Sequence, residues 1–222
     1  MSDKSKIPLR ERKYAQTKVA ILNAVVEQLM EKRLKDISIK DVCESIPISE
    51  VTFYNYFPKK TDVVIYIVEL WQVEISWHLQ KWESQKTNLE VIESFFEQTA
   101  LKTKMNAQVL SEAMGFFAQE QQSIVLKDPG PAEKVLFFPD LDGIDKITLE
   151  SGCSNKELLI KPYIEKAITM GELPGDTNIE EISIILTSVY AGAMMHYHKS
   201  NPFDIAAIYK KALRLLWKGL KK

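Results

Sequence analysis

Hydroxyl, amide and aromatic side chains are concentrated between residues 49 and 56 of the chain. Ser49, Thr52 and Asn55 lie there beside Tyr54 and Tyr56. Hydroxyl and amide groups form hydrogen bonds with phosphate oxygens and with the edges of bases. The chemistry that this segment offers is therefore the recognition of nucleic acid.

Residue types that could carry catalysis or hold a metal ion are scattered. His196 and His198 stand two positions apart on a predicted helix, so their side chains point apart and make a poor pair of metal ligands. We interpret Cys43 and Cys153 as reduced thiols packed in the core. There is no glycine-rich phosphate loop, nucleophile elbow or HExxH motif, and no cluster of titratable residues favours a helical-bundle enzyme. We therefore expect no enzyme activity, no metal site and no cofactor.

Two short helices joined by a tight turn would position the polar segment. Ser38 predicts the start of one helix over residues 39–45, and Pro47 ends it. Ser49 can cap a second helix over residues 50–55. That helix is polar in its first turn and aromatic in its last, so it has a side for bases and a side that can dock on a scaffold. These features are typical of the recognition helix in a helix-turn-helix.

The rest of the chain is also predicted to be mainly helical. Apolar residues recur at spacings of three and four, which predicts helices near residues 11–33, 59–86, 88–104, 107–121, 155–170, 178–199 and 202–220. Gly171 is expected to end one of these helices in a left-handed conformation. Turn signals in residues 127–152 flank two short apolar pieces and leave their structure open. We predict an all-α protein of roughly nine helices.

Charge is distributed unevenly along the chain. The net charge is −1, but residues 1–60 contain 12 basic and 8 acidic residues. A basic N-terminal part on a mildly acidic body fits phosphate binding at one end. The longest apolar stretch, residues 182–195, is shorter than the roughly 20 residues that span a bilayer, and the N-terminus has no signal-peptide core. We therefore expect a cytoplasmic protein that does not insert into a membrane.

The sequence of residues 49–60, Ser-Glu-Val-Thr-Phe-Tyr-Asn-Tyr-Phe-Pro-Lys-Lys, resembles a signature of the TetR/AcrR family of bacterial transcriptional regulators. That signature is small-x-x-Thr-Leu/Phe-Tyr-x-Tyr/His-Phe-x-x-Lys. Residues 21–24 and 38–43 also resemble the family, and the resemblance is architectural beyond residue 65. It implies a three-helix DNA-binding head at residues 1–58. It also implies a helical-bundle domain for effector binding and dimerisation at residues 59–222, in a bacterial cytoplasmic protein.

The resemblance implies a role in DNA binding for nine residues of the head. Those that would contact phosphate are Ser38, Ser49, Tyr54, Tyr56 and Lys60. Those that would face the groove are Glu50, Val51, Thr52 and Asn55. Phe57 would belong to the core.

Two residues depart from the family pattern. Pro47 stands in a turn where the family commonly has glycine, and proline cannot adopt the positive φ that glycine permits, so the turn must differ locally. Glu50 stands where many relatives carry a small or basic residue, and phosphate repels a carboxylate, although glutamate can accept from a cytosine amino group. These departures support a second interpretation, a TetR-like protein that binds a ligand or a partner and has weak or lost DNA binding.

The resemblance also implies two sites in the C-terminal domain. A pocket for a hydrophobic or aromatic effector would be lined by Trp71, Ile75, Phe95, Met105, Met114, Phe117 and Tyr190. A dimer interface on the last two helices would contain Ile185, Val189, Ala193, Tyr209, Leu213 and Leu216. Aromatic residues and methionines at helical spacing also occur as plain packing, and two adjacent apolar faces could belong to the core of one chain.

The resulting hypothesis is a homodimeric repressor that binds a double-stranded DNA operator and is released by a small molecule. Two heads would enter successive major grooves, with half-sites about 34–36 Å apart or a multiple of that distance. An effector would favour a dimer whose heads are wrongly spaced.

Overall fold

A computed structural model describes residues 7–119, 124–149, 159–199 and 203–220 of the chain. Within these ranges the chain forms nine α-helices and two short 3-10 helices, which confirms the predicted all-α class. The α-helices are α1 (Leu9–Leu29), α2 (Ile39–Ser45), α3 (Glu50–Tyr56), α4 (Asp62–Glu83), α5 (Asn88–Gln119), α6 (Pro131–Phe137), α7 (Lys161–Thr169), α8 (Ile179–Lys199) and α9 (Ile205–Leu220).

The internal contacts of the chain divide it into two compact units. The first unit is Met1–Trp77 with Glu112–Ser154, and the second is His78–Ser111 with Asn155–Lys222. Helices α4 and α5 therefore each contribute residues to both units. The functional division at residue 58 is a different boundary and stays a prediction.

In the first unit, helix α1 packs against α6 and α2, and α2 packs against α3. Ile21, Leu22 and Val25 form the buried side of α1. This helix ends at Leu29, earlier than the predicted residue 33, and a 3-10 helix follows at Leu34–Asp36. The backbone N–H of Leu34 donates to the Glu112 carboxylate at 3.0 Å, which holds the chain beside α5 as it leaves α1.

The segment that the sequence left open, residues 127–152, contains helix α6. Pro131 occupies the first turn of α6, where a proline needs no N–H partner. Lys134 on this helix is only 1% exposed, and its ammonium lies 2.7 Å from the Asp128 carboxylate and also donates to the backbone carbonyl of Ile147. The buried lysine therefore holds the chain on both sides of α6.

Helix α5 combines the two helices that were predicted over residues 88–104 and 107–121. Their junction lies at Asn106, whose φ of −139° and ψ of 41° interrupt the helical conformation. At the start of α5, the Glu172 carboxylate accepts from the backbone N–H groups of Asn88 and Leu89, both at 3.0 Å. These are donors that a helix N-terminus leaves without an intrahelical partner.

Helix α7 begins at Lys161, and the first residues of the helix predicted over 155–170 lie outside the described part of the chain. The predicted left-handed residue at its end is confirmed, since Gly171 has a φ of 73°. Helices α8 and α9 pack together, and the Tyr209 hydroxyl donates to the backbone carbonyl of Tyr190 at 3.0 Å. Among the described residues, no helix combines the length and apolar composition needed to cross a membrane.

Candidate nucleic-acid interface

Both helices of the predicted helix-turn-helix begin at a serine cap. The Ser38 hydroxyl accepts from the backbone N–H of Asp41 at 3.3 Å. The Ser49 hydroxyl accepts from the backbone N–H of Thr52 at 3.1 Å. Both predicted caps are therefore confirmed, and each satisfies a donor that the helix itself leaves open.

The turn between the two helices is formed without a left-handed residue. The N–H of Ile48 donates to the carbonyl of Cys43 at 3.1 Å, and Ile46 ends α2 with a φ of −124°. In the described residues, positive φ occurs only at glycines, none of which lies in this turn. The prediction that Pro47 imposes a local difference from a glycine turn is thus confirmed, and the altered turn still presents α3.

Phenylalanines on one side of α3 attach it to the rest of the first unit. Phe53 is 0% exposed, and its ring centroid lies 6.0 Å from that of Phe57. The Phe57 ring in turn lies 5.6 Å from that of Tyr66 on α4. The predicted core role of Phe57 is confirmed.

The opposite side of α3 faces away from this core. Val51 is 72% exposed, and Glu50, Tyr54 and Asn55 are exposed as well. The chain itself therefore does not bury the Val51 side chain. This exposed surface contains three of the residues that the sequence predicts to face the DNA groove, Glu50, Val51 and Asn55.

Two residues predicted to contact DNA also contact other side chains of the protein. The hydroxyl of Thr52 lies 2.8 Å from the hydroxyl of Ser49, so Thr52 completes the cap of α3. The ring of Tyr56 lies 4.7 Å from the ring of Tyr14 on α1. Both side chains are half-buried. Their contacts with DNA stay predictions.

Tyr14 is a surface residue that the sequence analysis missed. It is 44% exposed, and burial raises the pKa of its hydroxyl, with smaller contributions from Glu133 and Tyr56, so the phenol stays protonated. It follows the exposed basic residues Arg10, Arg12 and Lys13 in the first turns of α1. The sequence shows that this region is basic, but nothing in the sequence links Tyr14 to Tyr56.

Lys60 has contacts that differ from the expected phosphate contact. Its ammonium donates to the backbone carbonyls of Lys35 at 3.1 Å and Ile37 at 3.0 Å. These carbonyls directly precede the Ser38 cap of α2. Two of the three donors of the lysine are therefore used to hold the start of the helix-turn-helix.

Cys43 is a free thiol buried in the core, as expected. Burial raises the pKa of this thiol, and the nearby negative charge of Glu50 raises it further. A protonated, buried thiol is a packing residue. Cys153 lies outside the described residues.

Behind α3 lies a cluster of buried polar groups that connects α1, α4 and α6. The Glu133 carboxylate accepts from the Tyr66 hydroxyl at 2.6 Å and pairs with the Lys18 ammonium at 3.1 Å. The same ammonium lies 3.8 Å from the centroid of the Tyr66 ring. Burial and the adjacent Glu133 raise the pKa of Tyr66, which keeps its hydroxyl a donor. We call Lys18, Tyr66 and Glu133 the α1–α6 cluster.

Glu69 is a second buried carboxylate in this unit. Burial raises the pKa of its carboxyl, and the effect is opposed by the backbone N–H of Lys127, which donates to it at 2.7 Å. This hydrogen bond attaches the chain before α6 to α4.

The residues predicted to line an effector pocket fall in both compact units. In the first unit, Ile75 is buried, whereas Trp71, Met114 and Phe117 are half-buried. In the second unit, Phe95 is buried, and its ring centroid lies 6.1 Å from that of the half-buried Tyr190.

Met105 is the most exposed member of the pocket set. It is 63% exposed and lies beside the interruption of α5 at Asn106. Whether any member of the set binds a ligand stays a prediction.

Two residues predicted at the dimer interface are buried within the second unit. Tyr209 is 1% exposed and Leu213 is 2% exposed, because they lie one turn apart on the side of α9 that packs inward. The interface itself stays a prediction. Ile185 is exposed, and Val189, Ala193 and Leu216 are half-buried. The large apolar side chains exposed on these two helices are Ile184, Ile185, Met195, Ile208 and Leu215.

Among the described residues, no group of three histidine, cysteine, aspartate or glutamate side chains could hold a metal ion. The backbone of His198 is described and its side chain is not.

No family model and no curated protein sequence matches the chain. Solved structures do match over nearly the whole chain. The TetR-family repressor FadR from Thermus thermophilus, solved with lauroyl-CoA, is 20% identical and has a TM-score of 0.60, over 91% of this chain and 94% of its own.

Two further structures give the same result. A TetR transcriptional regulator from Rhodococcus sp. RHA1 is 13% identical, with a TM-score of 0.52, over 93% of this chain and 97% of its own. RolR, solved with resorcinol, is 15% identical, with a TM-score of 0.52, over 94% of this chain and 90% of its own. At these identities the likeness establishes the fold. The chain therefore has the fold of the TetR-family transcriptional regulators, which is the fold that residues 49–60 implied.

Proposed function

We propose that the chain is a homodimeric, ligand-responsive transcriptional regulator that binds double-stranded DNA through α3. The observation that carries this proposal is the exposure of one side of α3, where Val51 and Asn55 point away from the buried Phe53. A short helix with an apolar anchor and an outward polar side matches what a major-groove reader needs. The exposed basic residues at the start of α1 supply positive charge on the same unit.

The proposal includes repression relieved by a small molecule. FadR was solved with an acyl-CoA and RolR with a phenol, and the first is described as a repressor. The first ligand carries a long acyl chain and the second an aromatic ring. The aromatic pair Phe95–Tyr190 in the second unit is consistent with a hydrophobic or aromatic effector for this chain.

DNA binding is tested by a gel-shift assay with the DNA upstream of the chain's own gene, at low salt because phosphate contacts weaken as salt rises. We expect the folded dimer to shift this DNA. Val51→Glu should abolish the shift, since it places a carboxylate on the outward side of α3. Met170→Glu makes the same chemical change at an exposed position in the second unit and should leave binding unchanged.

The second candidate function, a ligand- or partner-binding protein that has lost DNA binding, rests on the exposed carboxylate of Glu50. Glu50→Ala separates the two. A DNA-binding regulator should change its affinity or its preferred sequence, whereas a protein that does not bind DNA should behave alike with and without the carboxylate. Failure of the wild-type dimer to shift any duplex at low salt favours this second function.

A further inference from the structure

We propose that Val51 and Asn55 are the residues that read bases, and that each half-site contains a thymine and an adenine about two base pairs apart. This inference rests on the proposed function, because it names the DNA that α3 would recognise. It assigns base contact to Val51 and Asn55 alone. The other exposed residues of α3 would contact the phosphate backbone that borders the groove.

The first argument is the direction of each side chain around α3. Phe53 is fully buried and marks the side that docks on the unit. With about 100° between successive residues of an α-helix, Val51 and Asn55 each lie about 160° from Phe53, one on either side of the outward direction. They are thus the residues farthest from the protein and would enter deepest into a groove.

The remaining positions of α3 lie on its two flanks. Glu50 and Tyr54 fall on one flank, at about 60° and 100° from Phe53. Thr52 and Tyr56 fall on the other, where Thr52 contacts Ser49 and Tyr56 contacts Tyr14. Side chains on the flanks of a helix in the major groove are directed towards the phosphates rather than the base edges.

The second argument is that the two outward side chains are uncommitted. Across the described ranges, no hydrogen bond or ring contact engages the side chain of Val51 or Asn55. A carboxamide in this position offers one donor group and one acceptor, which match the N6 and N7 atoms of adenine. The valine methyl groups match the C5-methyl of thymine.

The spacing of the two bases follows from the helix. Four residues of α-helix rise about 6 Å, and successive base pairs are about 3.4 Å apart. A helix lying along the groove therefore places Val51 and Asn55 over base pairs about two steps apart.

The test begins with selection of bound duplexes from a randomised pool by the full-length dimer. We expect wild-type protein to enrich a half-site with a fixed A·T pair at each of the two positions. Asn55→Ala should lose the preference at one position and Val51→Ala at the other. Tyr54→Phe removes only a flanking hydroxyl and should lower the affinity for all duplexes without altering the selected sequence.

Atomic substitutions in the selected duplex then identify the contacts. Uracil in place of the thymine removes only the C5-methyl and should weaken wild-type binding about 3-fold, with no effect on Val51→Ala. 7-Deazaadenine in place of the adenine removes the N7 acceptor and should weaken wild-type binding about 5-fold or more, with no effect on Asn55→Ala.

Three results would overturn the inference. Selected half-sites without the two A·T pairs would do so, and so would variants that select the same sequence as the wild type. Equal penalties in the wild type and the matching variants would mean that other side chains read those atoms. If the wild-type dimer enriches no sequence, the proposed function itself fails and the inference fails with it. Because Val51 and Asn55 are exposed, thermal unfolding should show all the variants to be folded.

Discussion

The ammonium group of Lys60 donates to two carbonyls just before α2, although the family resemblance assigns it to phosphate. A lysine in this position fixes the cap residue Ser38 and, through α2, the presentation of α3. In the proposed complex, the same charge would also attract a DNA phosphate. The two roles predict different results when the side chain is replaced.

We expect Lys60→Met to lower the free energy of unfolding by about 1–3 kcal/mol, because two backbone carbonyls lose a charged donor. DNA binding should weaken as well, as the start of α2 loosens. Urea unfolding and the salt dependence of DNA affinity measure the two effects separately. The exposed neighbour Lys59, replaced by methionine, is the matched control and should leave stability unchanged. If Lys60→Met keeps full stability but makes DNA affinity less dependent on salt, then Lys60 acts only by binding phosphate.

At the scale of the helices, the α1–α6 cluster attaches a helix of the predicted DNA-binding head to α6. Buried charges are retained at a cost in desolvation, so removing one partner leaves the other uncompensated. We expect Lys18→Met and Glu133→Gln each to destabilise the chain by about 2–4 kcal/mol, and the double variant by clearly less than the sum.

The exposed pair Lys40–Glu44, at 3.9 Å on α2, provides the comparison for this double-mutant cycle. Its coupling energy should be about 0.5 kcal/mol or less. Equal coupling in the two pairs, measured by urea unfolding, would mean that the α1–α6 cluster contributes no more than a surface ion pair.

The helices show which parts of the structure can be predicted from sequence. Local signals were sufficient for α2 and α3, because Ser38, Pro47 and Ser49 fix their ends through caps and backbone geometry. Helix α6 was not predicted, because its seven residues are too few to show a helical period. It is held by contacts of Lys134 with Asp128 and Ile147, which join parts of the chain that no local pattern connects.

The candidate interface likewise contains some residues that the sequence predicts and others that it does not. The family resemblance predicted four residues of α3 that would face the groove, and helical spacing around Phe53 places two of them, Val51 and Asn55, farthest outward. The pairing of Tyr14 with Tyr56 and the contacts of Lys60 join residues far apart in sequence, so no local sequence pattern reveals them. The burial of Tyr209 and Leu213 is not revealed by a local pattern either, because apolar residues at spacings of three and four do not show which of two apolar faces packs inside one chain.

At the scale of the whole molecule, the proposed dimer needs an apolar surface that one chain leaves exposed. We expect Leu215→Glu to convert the dimer to a monomer, because it places a charge among the exposed apolar residues of α8 and α9. Sedimentation velocity measures the change. DNA affinity should fall with it, since two linked heads bind far more tightly than one.

Lys210→Glu is the control, at an exposed position on a different side of α9. It should leave the dimer intact. Leu213→Ala should lower stability without changing the oligomeric state, because that side chain lies in the core of its unit. A monomeric wild type, or a dimer that tolerates Leu215→Glu, would place the association surface elsewhere.

The turn before α3 contains a proline where a flexible glycine is common in the family. A proline ring restricts the conformations open to the unfolded chain as well as the folded one. Part of what holds α3 in place is therefore an entropy difference, which no contact distance records. Replacing Pro47 with glycine would therefore lower the free energy of unfolding through the denatured polypeptide, even if every native contact of α3 survived.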